Sequence, residues 1–179
     1  MNQEATLSAY EVINTYEEKA LSDVLFQYRE LRSAPKMARI ICEARETAPV
    51  KTSEQLKELL QPCMIKRKEH KILAQVYQAI RIEVNQEIQV LKEFLEQTKD
   101  LLNPGGRISL ISYHSLEDRL VKRFIRNGMF EGEPEKDLFG NMTVPFKKVG
   151  GLVVPDAKEI ARNNRARSAK LRIAERIED

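Results

Sequence analysis

The stretch PGGRISLISYHSLEDRLVK, residues 104–122, contains the strongest signals for the fold. It starts with a turn of proline and glycine, continues as a short apolar run, and then changes to apolar residues spaced three and four apart. We predict a buried strand over residues 107–113, followed by a helix. Ser115 is the predicted N-cap of this helix and forms a capping box with Asp118, and Gly128 ends the helix. A buried strand between helices is typical of an α/β sheet.

Two more strands are predicted on the C-terminal side of this stretch. Residues 146–154 form one strand, interrupted by Gly150-Gly151, and residues 170–177 alternate polar and apolar side chains as a half-exposed strand does. Residues 129–145 have the composition of a surface loop. Three strands are few, and a buried strand needs neighbours on both sides. We therefore expect an incomplete sheet, and self-association of the chain through an exposed sheet edge.

The N-terminal part of the chain is predicted to be helical. Short helices are expected up to about residue 70, because apolar residues recur there at helical spacing and prolines lie between the predicted helices. Ser8 and Thr52 are the expected N-caps of two of them. One long helix is predicted over residues 71–102, where the apolar spacing continues without interruption. The chain is accordingly divided into a helical domain, residues 1–70, and an α/β portion, residues 71–179.

Composition excludes several classes of protein. Charged residues make up 32% of the 179 residues and hydrophobic residues 42%, which is ordinary for a soluble globular protein. The sequence has neither an apolar run long enough to span a membrane nor the features of a signal peptide, so we expect a cytoplasmic protein without membrane contact. Cys42 and Cys63 lack the number and spacing of a disulfide framework or a zinc site, and no metal site is predicted.

Positive charge is concentrated near the C-terminus. Between Lys158 and Arg172 six residues are basic and only Glu159 is acidic. A local excess of this kind attracts phosphate backbones. A solvated basic surface explains the charge equally well.

Three stretches resemble one family, the 16S ribosomal RNA cytosine-N4 methyltransferases, which use S-adenosylmethionine. They are QAIRIEVNQE at residues 78–87, the stretch at residues 104–122, and NRARSAKLRIAER at residues 164–176. The resemblance implies a Rossmann-like methyltransferase sheet with an inserted, mostly helical domain. Residues 8–70 then belong to the inserted domain, and residues 71–179 supply the last part of the sheet, which ends in an antiparallel strand.

The chain departs from the family pattern in two ways. The family's cofactor site lies in an N-terminal half with a glycine-rich turn, whereas the seven glycines here all lie at or after Gly105 and form no Gly-x-Gly-x-x-Gly motif. The chain thus resembles the C-terminal part only. S-adenosylmethionine is expected for the complete enzyme but is not expected to bind this chain, which is predicted to be inactive alone. The second departure is Asn163-Asn164, where the family usually has Asn-Pro; it loosens the turn before the arginines.

His114 and Ser115 are the catalytic candidates. Methyl transfer to a cytosine amine requires an aligned donor and base and a group that accepts the amine proton. Both residues lie where the predicted strand ends and the helix begins, which is the edge where open α/β sheets bind ligands. His114 is able to hydrogen-bond the base or to move a proton. The alternative is a structural histidine beside a serine that only caps the helix.

Gln78, Arg81 and Asn85 are the first group of RNA-binding candidates. Arg81 and Asn85 are four residues apart, with Gln78 near the same face of the predicted long helix. One interpretation is that they line the cleft between the two domains and contact RNA. The alternative is that they tie the two domains together by hydrogen bonds.

Arginines form the second group, because the planar guanidinium group matches phosphate. Arg162, Arg165 and Arg167 lie in the basic stretch, and Arg119 lies on the helix after the strand. For Arg167 the alternative is an ion pair with Glu175. For Arg119 the alternative is a solvated helix face.

Three functions are compatible with these observations. The first is a portion of an S-adenosylmethionine-dependent methyltransferase that acts on N4 of a cytosine in small-subunit ribosomal RNA. The second is a non-catalytic RNA-binding module associated with the ribosome, and the third is a structural fragment without activity. For the first two, 16S ribosomal RNA or the small ribosomal subunit is the expected partner.

Overall fold

The structure is a computed structural model that describes residues 7–29, 31–134 and 143–178. The chain forms two compact units, unit 1 from Met1 to Glu87 and unit 2 from Ile88 to Asp179. The predicted domain boundary near residue 70 concerns the end of an inserted domain in a larger fold, and it stays a prediction.

Unit 1 is helical, as predicted. Ser8 and Thr52 cap helices through capping boxes with Glu11 and Gln55, as expected from their spacing. The helices are α1 Ala9–Thr15, α2 Glu18–Arg29, α3 Ala34–Thr47, α4 Ser53–Leu59 and α5 Glu69–Val84, with a 3-10 turn at Gln61–Cys63.

The core of unit 1 lies between its helices. Leu21 and Leu25 of α2, Met37 and Ile41 of α3, and Val76 of α5 have no exposed surface and belong to one hydrophobic cluster. Each contributes an apolar stripe at helical spacing. Unit 1 therefore encloses a core made from its own residues.

A polar cluster in unit 1 centres on Glu83 of α5. Tyr16 and Tyr28 each donate a hydroxyl hydrogen bond of 2.7 Å to one of its carboxylate oxygens. Nearby, Arg45 of α3 donates to the backbone oxygen of Ile13 at 2.7 Å. Burial and then the Glu83 carboxylate raise the pKa of Tyr16 to about 12, so its hydroxyl stays protonated and bonded. The cluster holds the turn between α1 and α2 against α5.

The predicted long helix over residues 71–102 is wrong. Helix α5 ends at Val84, and α6 runs over Glu87–Leu101. Gln86 between them has a φ of 51°, in the left-handed region, which ends the helical path. Apolar spacing continues from Val84 to Ile88 across the break, and neither glycine nor proline marks it, so the sequence pattern alone did not show it.

Unit 2 is built on a three-stranded antiparallel sheet with the order β1-β3-β2. The predicted strands are confirmed, and a bulge interrupts β2 at Gly150-Gly151, where Gly150 has a φ of 67°. Residues 135–142 of the predicted loop lie outside the described residues. After α6 the elements are β1 Arg107–Ser112, α7 Ser115–Asn127, β2 Phe146–Val153, α8 Ala157–Arg162, a 3-10 segment Asn164–Ser168 and β3 Lys170–Arg176.

One face of this sheet packs against helices. Ile108 of β1 and Ala174 of β3 are opposite each other and belong to a cluster with Leu95 of α6 and Val121 and Phe124 of α7. Because neighbouring side chains in a strand point to opposite faces, the residues in between point away from this core.

The other face of the sheet is apolar but open. The open face consists of Ile111, Val149, Val153, Leu171 and Ile173, which pair with one another across the three strands. Ile111 is 61% exposed and Val153 is 50% exposed. The prediction that β1 is a buried strand is therefore wrong for this chain. Among the described residues β1 pairs only with β3, so its second edge and its second face lack the neighbours that burial requires.

The described residues contain no helix that has both the length and the apolar character needed to cross a membrane.

Candidate nucleic-acid interface

The C-terminal end of β1 is the place where unit 2 brings its candidate residues together. Ser112, the last residue of β1, pairs with Lys170, the first residue of β3. His114 lies two residues beyond Ser112, and the 3-10 segment Asn164–Ser168 lies directly before Lys170. The antiparallel register thus brings His114 and Ser115 to the same end of the sheet as Arg165 and Arg167, although about fifty residues separate them in sequence.

The helix after β1 is capped differently from the prediction. His114 is the N-cap of α7, and Ser115 is its first helical residue. A carboxylate oxygen of Glu117 accepts the backbone N–H groups of Tyr113 and His114, each at 3.1 Å. The predicted pair of Ser115 and Asp118 is wrong by one residue, because Glu117 takes the capping position and Asp118 turns inward.

Asp118 instead holds two cationic side chains of β3. It is 7% exposed, and its carboxylate accepts Arg172 Nε at 2.7 Å and Nη2 at 3.1 Å. Lys170 Nζ donates to the same carboxylate at 3.2 Å. Burial favours a higher pKa for Asp118, but the hydrogen bonds and charges of Arg172 and Lys170 outweigh it and hold the pKa below its usual value. The cluster is therefore ionised and carries a net positive charge.

Three exposed arginines, Arg162, Arg165 and Arg167, precede this cluster in the sequence, and we call residues 162–167 the arginine segment. Arg162 ends α8, and Arg165 and Arg167 lie on the 3-10 segment, where all three are exposed. Ala166 between the last two is buried and fixes the segment to unit 2. The Asn163 side chain accepts the backbone N–H of Arg165 at 3.2 Å and caps the segment.

Glu175 is not the partner of Arg167 in the structure. Its carboxylate accepts Arg107 Nε at 2.8 Å and Lys147 Nζ at 2.7 Å, which joins the three strands. Hydrogen bonds from Lys147 and then Arg107 lower the pKa of Glu175. Among the described residues, no carboxylate lies in ion-pair distance of the Arg167 guanidinium group.

Arg119 is exposed on α7, one turn after Ser115 and therefore on the same side of the helix. With Lys170 and the arginine segment it adds to the positive charge at this end of the sheet. We define the basic end of unit 2 by six residues: His114, Ser115, Arg119, Arg165, Arg167 and Lys170.

Gln78, Arg81 and Asn85 occupy a separate place, in unit 1. Arg81 and Glu87 form a two-bond ion pair at 2.9 and 3.0 Å, and Asn85 Nδ2 donates to the same carboxylate at 3.0 Å. Because α5 ends at Val84, Asn85 is the C-cap of the helix and not part of its face. Glu87, which the sequence analysis did not single out, thus draws Arg81 and Asn85 together. Gln78 is half-buried one turn earlier.

The Asp118 cluster was also missed from the sequence. A signal was present, since two adjacent acids follow His114 and only one of them is needed as a cap. Lys170 and Arg172 are two residues apart and must point to the same face of β3. The acid that binds Lys170 and Arg172 could not be identified from the sequence, because this contact depends on how β3 packs against α7.

Two features of the described residues bear on metal and cofactor binding. No group of three or more histidine, cysteine or acidic side chains is arranged among them to hold a metal ion. The two described turns from strand to helix, Tyr113-His114 and Val154-Pro155-Asp156, contain no glycine. They lack the close backbone approach that glycine-rich cofactor turns provide.

The fold and the basic end define part of an α/β protein with a surface suited to anions. The chain belongs to the MraW methylase family, whose model matches residues 1–177. The family resemblance seen in the sequence is thereby confirmed.

Curated relatives are similar over almost the whole chain. The ribosomal RNA small subunit methyltransferase H of Christiangramia forsetii is 66% identical over 177 residues, which is 99% of this chain and 59% of the relative. The protein of the same name from Flavobacterium johnsoniae is 63% identical over 177 residues, again 99% and 59%. That of Bacteroides fragilis strain YCH46 is 47% identical over 98% of this chain and 58% of its own length. The chain thus spans about 59% of the length of its relatives.

Proposed function

We propose that this chain is a portion of an S-adenosylmethionine-dependent methyltransferase that acts on N4 of a cytosine in small-subunit ribosomal RNA. The observation that carries the proposal is the 66% identity, over 99% of the chain, to a ribosomal RNA small subunit methyltransferase. The names of the relatives favour this function over a non-catalytic RNA-binding module. A cytoplasmic location follows from the ribosomal substrate.

The basic end of unit 2 is the proposed contact with 16S ribosomal RNA. Arg165 and Arg167 bind phosphates through their exposed guanidinium groups, and Arg119 of the basic end and Arg162 at the end of α8 add two more guanidinium groups. Lys170 adds charge, because Asp118 neutralises only one of the two cations that it holds. These contacts orient the RNA and do not read its sequence.

His114 is proposed to contact the target base. It follows the C-terminal end of β1, is half-buried, and has its backbone N–H held by Glu117. An imidazole at this edge of the sheet is able to hydrogen-bond a base that has left its stack. Ser115, exposed beside it, offers a second hydrogen-bonding group.

The sheet is proposed to be the final part of a Rossmann-like sheet. The open second edge of β1 and the open face support this, because a complete sheet of this type is covered on both faces. The part of the relatives that this chain does not match then supplies the further strands and the S-adenosylmethionine site. By this proposal the chain alone neither binds the methyl donor nor transfers a methyl group.

Methyl transfer with the missing part supplied separately tests this function. The chain is mixed with the part of the Christiangramia forsetii relative that it does not match, and incorporation of labelled methyl into unmethylated small subunits is measured. Labelled N4-methylcytosine is expected only when both parts are present. Incorporation by the chain alone, or none despite a stable complex of the two parts, would refute the proposal.

In this mixture we expect His114→Ala to lower turnover more than tenfold, about 1.4 kcal/mol in barrier, whereas Lys19→Ala, at an exposed position of unit 1, serves as the control.

A further inference from the structure

We propose that unit 1 has its own binding groove for unstacked bases of single-stranded RNA, between Tyr10 of α1 and Tyr77 of α5. The inference deepens the proposed function, on which it rests, by adding a contact with bases to the contact with phosphates. The groove has a volume of about 1150 Å³, which is above the roughly 300–1,000 Å³ of a site for one small molecule. An extended segment of a polymer suits these dimensions better.

The floor of the groove is apolar and belongs to the core of unit 1. Ile13, Val50, Leu56 and Ile80 line it, and each is buried. These side chains are fixed by the packing beneath them, so the floor keeps its shape when the groove is empty. Bases that enter the groove exchange contact with water for contact with a preformed apolar surface.

The two tyrosines provide exposed aromatic rings in this groove. Tyr10 is 47% exposed and Tyr77 is 38% exposed, although both line an apolar depression. Burial and then the charge of Glu54 raise the pKa of Tyr77, and its hydroxyl donates to the backbone oxygen of Ser53 at 3.1 Å. The ring of Tyr77 is therefore neutral and held in one orientation. Neutral aromatic rings at a groove are the usual platforms on which unpaired bases stack.

The charge of the groove also fits a nucleic acid. Lys51 and Arg81 are the charged residues among its described lining residues. Glu87 pairs with Arg81, and Glu54 acts on Tyr77 from beside the groove, so Lys51 supplies the cationic charge that remains. Arg81 remains half-exposed while Glu87 orients its guanidinium group. Asn85, another lining residue, donates its Nδ2 to Glu87, and its Oδ1 is able to accept from the hydrogen-bonding edge of a base. An apolar floor, two exposed aromatic rings and a lining lysine together fit single-stranded RNA better than a purely apolar partner.

The test compares the bases and the phosphates of one probe. Binding of the full chain to a fluorescein-labelled oligocytidylate of about ten nucleotides, long enough for one groove, is measured by anisotropy. An abasic ribose-phosphate chain of the same length is the control probe. The wild-type chain is expected to bind the oligocytidylate at least about fivefold more tightly than the abasic chain, as one stacked base provides. The double variant Tyr10→Ala and Tyr77→Ala is expected to lose this difference.

Two matched variants distinguish the rings from other effects. Tyr10→Phe with Tyr77→Phe keeps the rings and is expected to keep the preference for the oligocytidylate. Phe26→Ala removes an exposed ring of unit 1 that does not line the groove, and it is expected to change nothing. Full preference in the alanine double variant would overturn the inference.

Variants of the arginine segment distinguish a failure of this inference from a failure of the proposed RNA contact. Arg165→Ala with Arg167→Ala is expected to weaken both probes equally and to flatten the salt dependence of binding, because it removes phosphate contacts. If this variant behaves so while the tyrosine variants have no effect, the groove is wrong and the proposed RNA contact stands. If the wild-type chain binds neither probe, both are overturned.

Crosslinking gives a result that needs no variant. An oligomer that contains 4-thiouridine is expected to crosslink to peptides with Tyr10 or Tyr77. Crosslinks confined to residues 157–176 would overturn the groove.

Discussion

Units 1 and 2 differ in how much of their apolar surface is buried by their own residues. Unit 1 packs five helices, α1 to α5, around one core, and its polar cluster at Glu83 is closed by two tyrosines. Unit 2 has a smaller core, leaves one apolar sheet face open, and among the described residues has no strand paired with the outer edges of β1 and β2. The comparison shows that the described residues of unit 1 enclose one core, whereas those of unit 2 leave apolar residues of a sheet face exposed.

Exposed apolar residues of α6 fit the same interpretation. Val90, Phe94 and Leu101 are spaced four and seven apart, so they lie on one side of the helix, and each is about half exposed or more. Comparable exposed residues of unit 1, such as Phe26 and Ile65, are scattered. A stripe and an open sheet face on one unit mark a contact surface more strongly than single exposed side chains do.

The largest effect is expected from a pair of isoleucine substitutions. Ile41→Ala in unit 1 removes a fully buried side chain and should lower the free energy of unfolding by about 2–5 kcal/mol. Ile111→Ala in unit 2 removes a side chain that is 61% exposed and should cost less than about 1 kcal/mol. Urea unfolding followed by circular dichroism measures both. Equal losses would mean that the open face is covered in solution.

Acid should weaken unit 2 through Asp118. Its folded pKa is lowered, so the stabilisation is present above the unfolded value of about 3.9 and is lost as the pH falls through the folded value. Asp118→Asn should lower the free energy of unfolding at pH 7 by about 1.5–3 kcal/mol and reduce its acid sensitivity. Urea midpoints measured from neutral to acid pH test this. An unchanged midpoint in the variant would show that the cluster contributes nothing.

Unit 1, by contrast, should lose stability in alkali, through Tyr16. The pKa of Tyr16 is raised to about 12, so its contribution is complete below the unfolded value of about 10 and is lost as the pH rises through the folded value. Tyr16→Phe with Tyr28→Phe should cost about 1–2 kcal/mol at pH 7 and should flatten the loss of stability in alkali. The same urea series, extended above pH 9, is the measurement. Alkaline sensitivity that persists in the double variant would contradict this assignment.

The smallest effect concerns association of the chain with itself. The open face and the free edge of β1 should cause molar mass to rise with concentration in static light scattering. Ile111→Lys should reduce this rise, whereas Phe26→Lys, at an exposed position of unit 1, should not. A clean monomer at all concentrations would show that the open surface does not drive association.

Much of the local structure could be predicted, because it is marked by residues with strong local preferences. Ser8 and Thr52 cap the helices as expected, and the three strands begin and end near their predicted bounds. The break at Gln86 could not be seen, because the apolar spacing continues from Val84 to Ile88. Local signals fix an element reliably only where a residue excludes the alternatives.

The candidate site could be predicted only as separate pieces. The location of His114 at a strand end followed from the change of period in the sequence. That Arg165 and Arg167 lie at the same end depends on the pairing of Ser112 with Lys170. The choice between Glu117 and Asp118 as the cap depends on Arg172, which lies 54 residues from Asp118. These are contacts across the chain, which periodicity does not report.

Calorimetric titration of S-adenosylmethionine into the purified chain tests whether the methyl-donor site lies outside these residues. No saturable heat is expected for the chain alone, whereas saturable heat is expected when the unmatched part of the Christiangramia forsetii relative is added. Saturable binding by the chain alone would contradict the proposed function, because it would mean that these residues already form the methyl-donor site.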